Sequence, residues 1–110
     1  MIYEMRTYTA MPGKLRALTK RFEDTTHQMF LKYGFRPLGY WTEGIGDNTK
    51  LHYILEWEDD NERLSKWAEF RKDPELATAF AKSEENGPLV ANIQNSIWIK
   101  TSFSPTISID

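Results

Sequence analysis

The stretch "YEMRTYTAMPGK", residues 3–14, begins as a strand and ends as the first turn of a helix. Pro12 fits the start of the helix, where a backbone N–H has no partner within the helix. Side chains of a strand alternate between its two faces. One face of this strand carries Tyr3, Met5 and Thr7, and the other carries Glu4, Arg6 and Tyr8. A carboxylate and a guanidinium therefore share a face with an aromatic ring, which raises the question of what that face contacts.

The composition of the chain excludes several classes of protein. Its 110 residues fit a single domain, residues 1–110, and 14 basic against 16 acidic residues give a formal net charge of −2. A nucleic-acid-binding domain needs a basic patch for phosphate contacts, so we expect no nucleic-acid partner. The chain has no cysteine, which excludes disulfides, cysteine-ligated zinc, iron–sulfur clusters and thiol catalysis.

We expect neither a secretory signal nor a membrane span. Met1 leads directly into the first strand, without the basic and apolar regions of a secretory signal. No stretch approaches the ~20 apolar residues that span a bilayer. We therefore expect a cytoplasmic protein.

The helix that follows the first strand is the clearest element of the pattern. Its apolar residues recur with helical spacing over residues 14–33, and Thr25 and Thr26 fill a gap in the apolar stripe. Gly34 is expected to end the helix in a left-handed conformation.

Turn residues and periodicity divide the rest of the chain. Strands are predicted at 35–43, 51–57 and 92–100, the first two joined by the turn sequence GIGDN. Helices are predicted from Asp59 or Asp60 to about Lys72, and over about 75–85 after the capping pair Asp73–Pro74.

The resulting order, β-α-β-β-α-β, is the split βαβ or ferredoxin-like arrangement of an α+β protein. It predicts a four-stranded antiparallel sheet in the strand order 4-1-3-2, with the helices on one face. The first and third strands then lie at the centre of the sheet.

The two faces of the predicted sheet differ in composition. Strand alternation gives one almost entirely apolar face, which we expect to pack beneath the helices: Tyr3, Met5, Leu38, Tyr40, Leu51, Tyr53, Leu55, Trp57, Ile93, Ile97 and Ile99. The other face mixes charges with large apolar groups: Ile2, Glu4, Arg6, Tyr8, Gly39, Trp41, Glu43, His52, Ile54, Glu56, Gln94, Ser96 and Trp98. A soluble monomer rarely exposes so large an aromatic patch. We therefore expect a second copy of the sheet to cover it about a two-fold axis, with a partly enclosed cavity between them.

Four stretches of the chain together resemble the NIPSNAP family. They are "YEMRTYTAMPGK" at 3–14, "YGFRPLGYWTEGIGDN" at 33–48, "LHYILEWEDDNERLSKWAEFRKDPE" at 51–75 and "QNSIWIKTSFSP" at 94–105. The resemblance covers about residues 2–105 and implies the wider dimeric α/β-barrel group, whose members pair their sheets into a barrel. That group includes cofactor-independent monooxygenases, haem-degrading enzymes, lactone isomerases and polyketide cyclases.

Glu4 and Arg6 are candidate catalytic residues because they project from one face of a central strand. Arg6 would bind a carboxylate or an enolate through its planar fork, and Glu4 would orient it or act as a base. The same pair also fits a structural ion network at a dimer interface, since a half-buried charge needs a partner whatever its use.

His52 is the candidate catalytic acid or base, because it starts the third strand on the cavity face, near Tyr8 or Arg6. A histidine in that place can also be simply hydrogen-bonded. Tyr8, Trp41 and Glu56 are the candidate ligand-binding residues. The alternative for the two aromatic residues is the hydrophobic part of a dimer interface.

The other histidine, His27, lies off the apolar stripe of the first helix, on the flank with Phe30 and Glu23, facing the sheet margin or solvent. Some haem-degrading relatives ligate iron through a helix histidine, but the pattern does not place His27 in that position. Two histidines without HxH or HxxxH spacing do not predict a zinc site. We expect neither a metal nor a cofactor.

Two classes of function remain open from the sequence. The first is a cofactor-independent enzyme of the monooxygenase, isomerase or cyclase type, acting on a small anionic or aromatic organic molecule. The second is a non-catalytic homodimer, or a higher oligomer, that binds a small ligand or another protein.

Overall fold

The computed structural model describes residues 1–106 and confirms the predicted order of elements. The strands are β1 (Ile2–Ala10), β2 (Arg36–Thr42), β3 (Lys50–Trp57) and β4 (Val90–Trp98). The helices are α1 (Leu15–Arg21), α2 (His27–Lys32), α3 (Asp60–Arg71) and α4 (Pro74–Ser83), and a π-helical segment, Phe22–Thr26, joins α1 to α2. No helix in this part of the chain is long and apolar enough to cross a membrane.

The four strands form one antiparallel sheet in the order β2-β3-β1-β4, which is the predicted order. The central strand β1 pairs with β3 on one side and with β4 on the other. The edge strand β2 pairs with β3, and its register shifts between Pro37 and Gly39. Pro37 cannot donate to a ladder, so its place in an edge strand agrees with the prediction.

The predicted faces of β1 are wrong. Residues directly opposite each other on neighbouring strands share a face of the sheet. The β1–β3 pairs on the helix-covered face are Glu4–Leu55, Arg6–Tyr53 and Tyr8–Leu51. Glu4, Arg6 and Tyr8 therefore lie beneath the helices. The prediction assumed that the more apolar side of a strand faces inward, whereas this strand sends its charges inward to hydrogen-bond partners that only the fold supplies.

Side chains of the other three strands lie on the predicted faces of the sheet. The residues of the face without helices, which we call the open face, are Tyr3, Met5, Thr7, Arg36, Gly39, Trp41, His52, Ile54, Glu56, Gln94, Ser96 and Trp98. The helices do not extend over all of β4. Ile93 and Ile97 point to the helix side, yet they remain 46% and 38% exposed.

The first helix is continuous, but its winding changes in the π-helical segment. A π turn closes its hydrogen bond one residue later than an α turn, so side chains beyond it rotate relative to those before it. Phe30, predicted on the flank of an unbroken α-helix, is fully buried as a result. The segment also buries the Thr26 hydroxyl, which has no hydrogen-bond partner among residues 1–106.

Gly34 ends this helix as predicted. Its φ of +76° is the left-handed conformation that glycine adopts without a steric penalty. The N–H of Gly34 donates to the carbonyl of Leu31 over 3.1 Å, and the N–H of Phe35 donates to the carbonyl of Phe30 over 2.9 Å. These two bonds form a Schellman motif, which satisfies carbonyls at the helix end.

Aspartate side chains start the two later helices. Asp59 accepts the N–H of Glu62 over 2.8 Å and caps α3. Asp73 caps α4 by accepting the N–H of Glu75 over 2.7 Å, and it also binds the end of α2 through Lys32 over 2.8 Å. Asp73 therefore joins two helices, in addition to the capping role that the sequence predicts.

The helices pack on the sheet through an aromatic core. Its buried aromatic members are Tyr8, Phe22, Phe30, Phe35, Tyr53, Trp57, Trp67 and Phe70. The rings of Phe30 and Phe35 stack with centroids 4.8 Å apart, and Trp67 meets both edge-on. This core fixes the position of α3 above β1 and β3, and with it the surroundings of Glu4.

Candidate functional site

Glu4 lies at the centre of a buried hydrogen-bond network. One carboxylate oxygen accepts the indole N–H groups of Trp57 over 3.1 Å and Trp67 over 2.9 Å. The other accepts Asn95 over 3.0 Å and Arg6 over 3.2 Å. Burial raises the pKa of Glu4, but the hydrogen bonds from Trp67 and Asn95 and the charge of Arg6 outweigh it and lower the pKa. Glu4 therefore stays ionised, and its acceptor sites are filled by protein donors.

The Arg6 guanidinium is likewise hydrogen-bonded to other residues of the protein. Its guanidinium donates to the hydroxyls of Tyr53 over 2.8 Å and Tyr8 over 3.2 Å, besides Glu4. It also lies 4.5 Å from the centre of the Trp67 ring, close enough for a cation–π interaction. Burial lowers the pKa of Arg6, but Tyr53, Tyr8 and Glu4 together raise it. This geometry favours the structural ion network over an anion clamp.

His52 lies on the open face, as predicted, with both ring nitrogens engaged. Nδ1 is 2.9 Å from the hydroxyl of Thr7, and Nε2 is 2.8 Å from a carboxylate oxygen of Glu43. The pKa of Glu43 is lowered mainly by a hydrogen bond from the N–H of Asp47, and next by the hydrogen bond with the His52 ring. Arg6 and Tyr8 face the opposite side of the sheet, so His52 does not meet them.

Glu56 also lies on the open face, where it forms an ion pair with Arg36 over 3.4 Å. It lies opposite Tyr3 in the β1–β3 ladder. The expectation that it would lie near Glu4 is therefore wrong, because Glu4 is on the other face.

A cavity of about 470 Å³ lies between the first helix and the edge of the sheet. We call it the helix–strand cavity. Its lining residues come from α1, the π-helical segment, α2, β2 and β3: Thr19, Phe22, Glu23, His27, Gln28, Tyr40, Trp41, Thr42 and Leu51. Of the site residues predicted from the sequence, Trp41 is the one that lines this cavity.

His27 and Tyr40 form a hydrogen-bonded pair in the wall of the helix–strand cavity. Nδ1 of His27 is 2.8 Å from the hydroxyl of Tyr40, and the two rings meet edge-on with centroids 5.4 Å apart. Burial raises the pKa of Tyr40 well above its ordinary value, so its phenol stays protonated across the physiological range. An imidazole held by a neutral phenol is an arrangement suited to proton transfer.

The sequence pattern did not predict this pair. The gap at Thr25 and Thr26 in the apolar stripe marks the π-helical segment, and it was the available signal that His27 would not follow an ordinary α-helical position. Tyr40 was correctly assigned to the helix-covered face, but a pattern does not show which helix residue it meets.

Metal ligands do not cluster in the part of the chain that the structure describes: no three or more histidine, aspartate or glutamate side chains there are arranged to hold a metal ion.

Comparison with known proteins gives a family and a fold. The NIPSNAP family model matches residues 3–105. An uncharacterised NIPSNAP-like domain protein from Burkholderia xenovorans is 27% identical, with a TM-score of 0.83 over 97% of this chain and 90% of that chain. A NIPSNAP family protein of unknown function from Agrobacterium tumefaciens is 25% identical, with a TM-score of 0.84 over 97% of this chain and 94% of that chain.

A more distant structure shares the fold alone. It is a candidate antibiotic biosynthesis monooxygenase from Nitrosomonas europaea, 10% identical, with a TM-score of 0.62 over 91% of this chain and 98% of that chain. None of the curated proteins compared with the chain matches it significantly. Since the family model covers nearly the whole sequence and NIPSNAP structures superpose on nearly the whole fold, the chain belongs to the NIPSNAP family.

Proposed function

We propose that the chain binds a small organic molecule in the helix–strand cavity and transfers a proton to or from it without a cofactor. The observation that carries this proposal is the 2.8 Å hydrogen bond between His27 and Tyr40 in the cavity wall. Histidine is the side chain that ordinarily changes charge between about pH 5 and 8, which suits it to this role.

The surroundings of the pair support ligand binding. The cavity volume of about 470 Å³ falls within the range of about 300–1,000 Å³ for small-molecule sites. Phe22, Tyr40 and Leu51 supply apolar walls, and π-helical turns occur frequently at functional sites. The likeness to a candidate antibiotic biosynthesis monooxygenase adds an analogy at the level of the fold.

The proposed chemistry follows from the hydrogen bond between His27 and Tyr40. When Nδ1 of His27 donates to the Tyr40 oxygen, Nε2 carries the free lone pair and can accept a proton from an O–H or an activated C–H. The resulting imidazolium keeps its bond to the Tyr40 oxygen, which therefore orients and stabilises the ring. Tyr40 acts as a positioning residue, and His27 is the group that would contact the substrate.

Deuterium exchange tests the proton transfer without knowledge of the natural substrate. The probe is 2-tetralone, an uncharged bicyclic ketone whose C1–H is acidic, followed by NMR in D₂O near neutral pD. Positioned general bases contribute about 10²–10⁴-fold, so we expect His27→Gln to slow protein-catalysed exchange at least about tenfold. Tyr40→Phe, which removes one oxygen, should slow it less, and its pH profile should shift.

The possible results separate the alternatives. Equal exchange rates for the wild type and His27→Gln would contradict the proposal. Binding of 2-tetralone in calorimetry without any acceleration of exchange would favour the non-catalytic binding module. A loss of exchange confined to His52→Gln would instead place proton transfer on the open face, where the sequence analysis expected it.

We also propose that the partner of the open face is a second copy of the chain. Trp98 and Trp41 are 48% and 37% exposed on this face, more aromatic surface than a lone sheet ordinarily leaves in water. The Arg36–Glu56 pair on this face carries both signs of charge, so opposite charges can meet across a self-complementary two-fold interface. Sedimentation velocity should show a dimer. A monomer at every concentration would contradict this proposal.

For the site of action we propose the cytoplasm, supported by a composition without cysteine. Fractionation of cells with an antibody against the protein tests this. Recovery of the protein outside the cytoplasmic fraction would contradict it.

A further inference from the structure

The helix–strand cavity contains no lysine or arginine to receive an anion, since none of its nine lining residues is of either type. Its acidic residue, Glu23, is 77% exposed at the side chain and lies 3.8 Å from Lys20, which points into solvent. Arg6, the anion clamp expected from the sequence, does not line the cavity and is held by Glu4, Tyr8 and Tyr53.

This distribution of charge disfavours an anionic ligand. An anion that leaves water needs a cation or several donors to replace its hydration. The cavity offers Glu23 and the neutral phenol of Tyr40 in its walls instead, so a carboxylate would lose hydration and meet a like charge at the rim. The ligand that fits best carries no net charge.

The walls indicate the shape of the ligand. Phe22 and Tyr40 meet edge-on with ring centroids 5.9 Å apart. The indole ring of Trp41 folds back over Gly39 on the open face, where a Cβ added to Gly39 would lie 2.8 Å from it. Trp41 therefore borders the cavity at the edge of the sheet, and the aromatic walls on the helix side are Phe22 and Tyr40. Flat aromatic walls favour a flat aromatic ligand, because rings stack or meet edge-on over a large area.

Apart from Glu23 at the rim, the polar groups that line the cavity carry no fixed charge, and two of them have no hydrogen-bond partner among the described residues. Gln28 and Thr42 make no side-chain hydrogen bond within residues 1–106, and both line the cavity. An amide and a hydroxyl can each donate to, or accept from, a ligand hydroxyl or carbonyl. The His27 ring provides the third polar contact of this kind.

We infer that the ligand of the helix–strand cavity is an uncharged aromatic molecule bearing a hydroxyl or carbonyl group. This inference rests on the proposed function and narrows it, because the sequence alone left an anionic molecule equally open. Proton transfer by His27 would then act on a phenol or on a carbon beside a carbonyl.

Three probes of the same ring system and different charge test the inference. They are 2-naphthol, 2-naphthoate and 2-naphthylmethylammonium, titrated by calorimetry at about pH 8, where an ordinary imidazole is neutral and naphthol is uncharged. We expect 2-naphthol to bind at least about tenfold more tightly than 2-naphthoate, since an uncompensated buried charge costs more than 1.4 kcal/mol, about a factor of ten.

A charge added to the cavity should reverse the preference. Gln28→Arg places a guanidinium at the lining, so 2-naphthoate should gain at least about tenfold in affinity over 2-naphthol. Gln28→Met, which changes size little and adds no charge, is the matched control: it removes one polar contact to 2-naphthol but should still bind 2-naphthol more tightly than 2-naphthoate. Both variants change an exposed helix position, which protects the fold.

The results distinguish this inference from the proposed function. Equal binding of all three probes, or tightest binding of the ammonium or the carboxylate by the wild type, would overturn the inference and leave the cavity as a ligand site. Failure of all three to bind would contradict the proposed function itself.

Discussion

Glu4 is fully buried, yet its carboxylate remains charged because donors from Trp57, Trp67, Asn95 and Arg6 surround it. Alternation along the strand correctly placed Glu4 and Arg6 on the same face. It could not show that this face was the inner one, because the indole donors come from residues more than 50 positions away. The sequence therefore shows that Glu4 and Arg6 are neighbours, and the fold determines that they form a buried hydrogen-bond network.

Replacement of Glu4 by glutamine should destabilise the fold strongly. The amide would turn N–H groups toward donors and leave the Arg6 charge uncompensated in the core. Breaking one partner of a buried ion pair costs about 3–5 kcal/mol in the free energy of unfolding. Urea denaturation near neutral pH measures this loss, with Glu85→Gln on the surface as the matched control.

The same variant has an expected pH dependence. The pKa of Glu4 is lower in the folded protein than in the unfolded chain, where glutamate titrates at about 4.3. The ionised Glu4 carboxylate therefore makes its full contribution to the free energy of unfolding above about pH 4.3. That contribution is lost as the pH falls toward the pKa of Glu4 in the folded protein. The stability difference between the wild type and Glu4→Gln should shrink in acid. A difference that grows in acid, or that is under about 1 kcal/mol near neutral pH, would refute the network.

At the scale of elements, the π-helical segment decides where the candidate site lies. It separates two α-helical stretches of one helix and brings Phe22 and His27 to the same cavity. An unbroken α-helix would have left His27 on the flank with Phe30, as the sequence analysis expected. The extra residue of the π turn also has a cost, because it buries the Thr26 hydroxyl without a partner in the described chain.

Replacement of Thr26 by valine should stabilise the protein. Valine has nearly the same shape and removes the buried hydroxyl, and an unsatisfied buried polar group costs about 1–3 kcal/mol. Thermal and urea denaturation measure the change. Thr25→Val, at a partly exposed neighbour in the same segment, is the control and should have little effect. A destabilised Thr26→Val would mean that the hydroxyl binds a buried water.

At the scale of the whole molecule, one layer of helices covers one face of a four-stranded sheet. The other face presents Trp41 and Trp98 beside polar groups. An apolar face of a sheet is ordinarily buried against another layer of structure, and this face has no such layer within the described chain. The open face still favours a cover by a second copy once β1 is correctly oriented, because it then carries Tyr3 and Met5 in place of Glu4, Arg6 and Tyr8.

A charge within the proposed interface should separate the copies. Trp98→Asp places a carboxylate on the open face and should convert the dimer to a folded monomer in sedimentation velocity, with its circular dichroism unchanged. Leu64→Asp is the matched control, since Leu64 is 55% exposed on α3, in the helix layer. A dimer that persists in Trp98→Asp, or that is lost in Leu64→Asp instead, would place the interface elsewhere.

The order of elements, the strand order, the end of the first helix at Gly34 and the aspartate caps were all readable from the sequence. Each depends on local chemistry: periodicity, a left-handed glycine, or a side chain that accepts its neighbour's N–H. The inward face of β1, the position of Phe30 and the His27–Tyr40 pair depend instead on strand register and on helix packing. Those are contacts between distant residues, and only the tertiary structure decides which residues meet. The sequence by itself therefore determined the fold of this protein, whereas the tertiary structure decided which of its polar residues hold the core and which line a cavity.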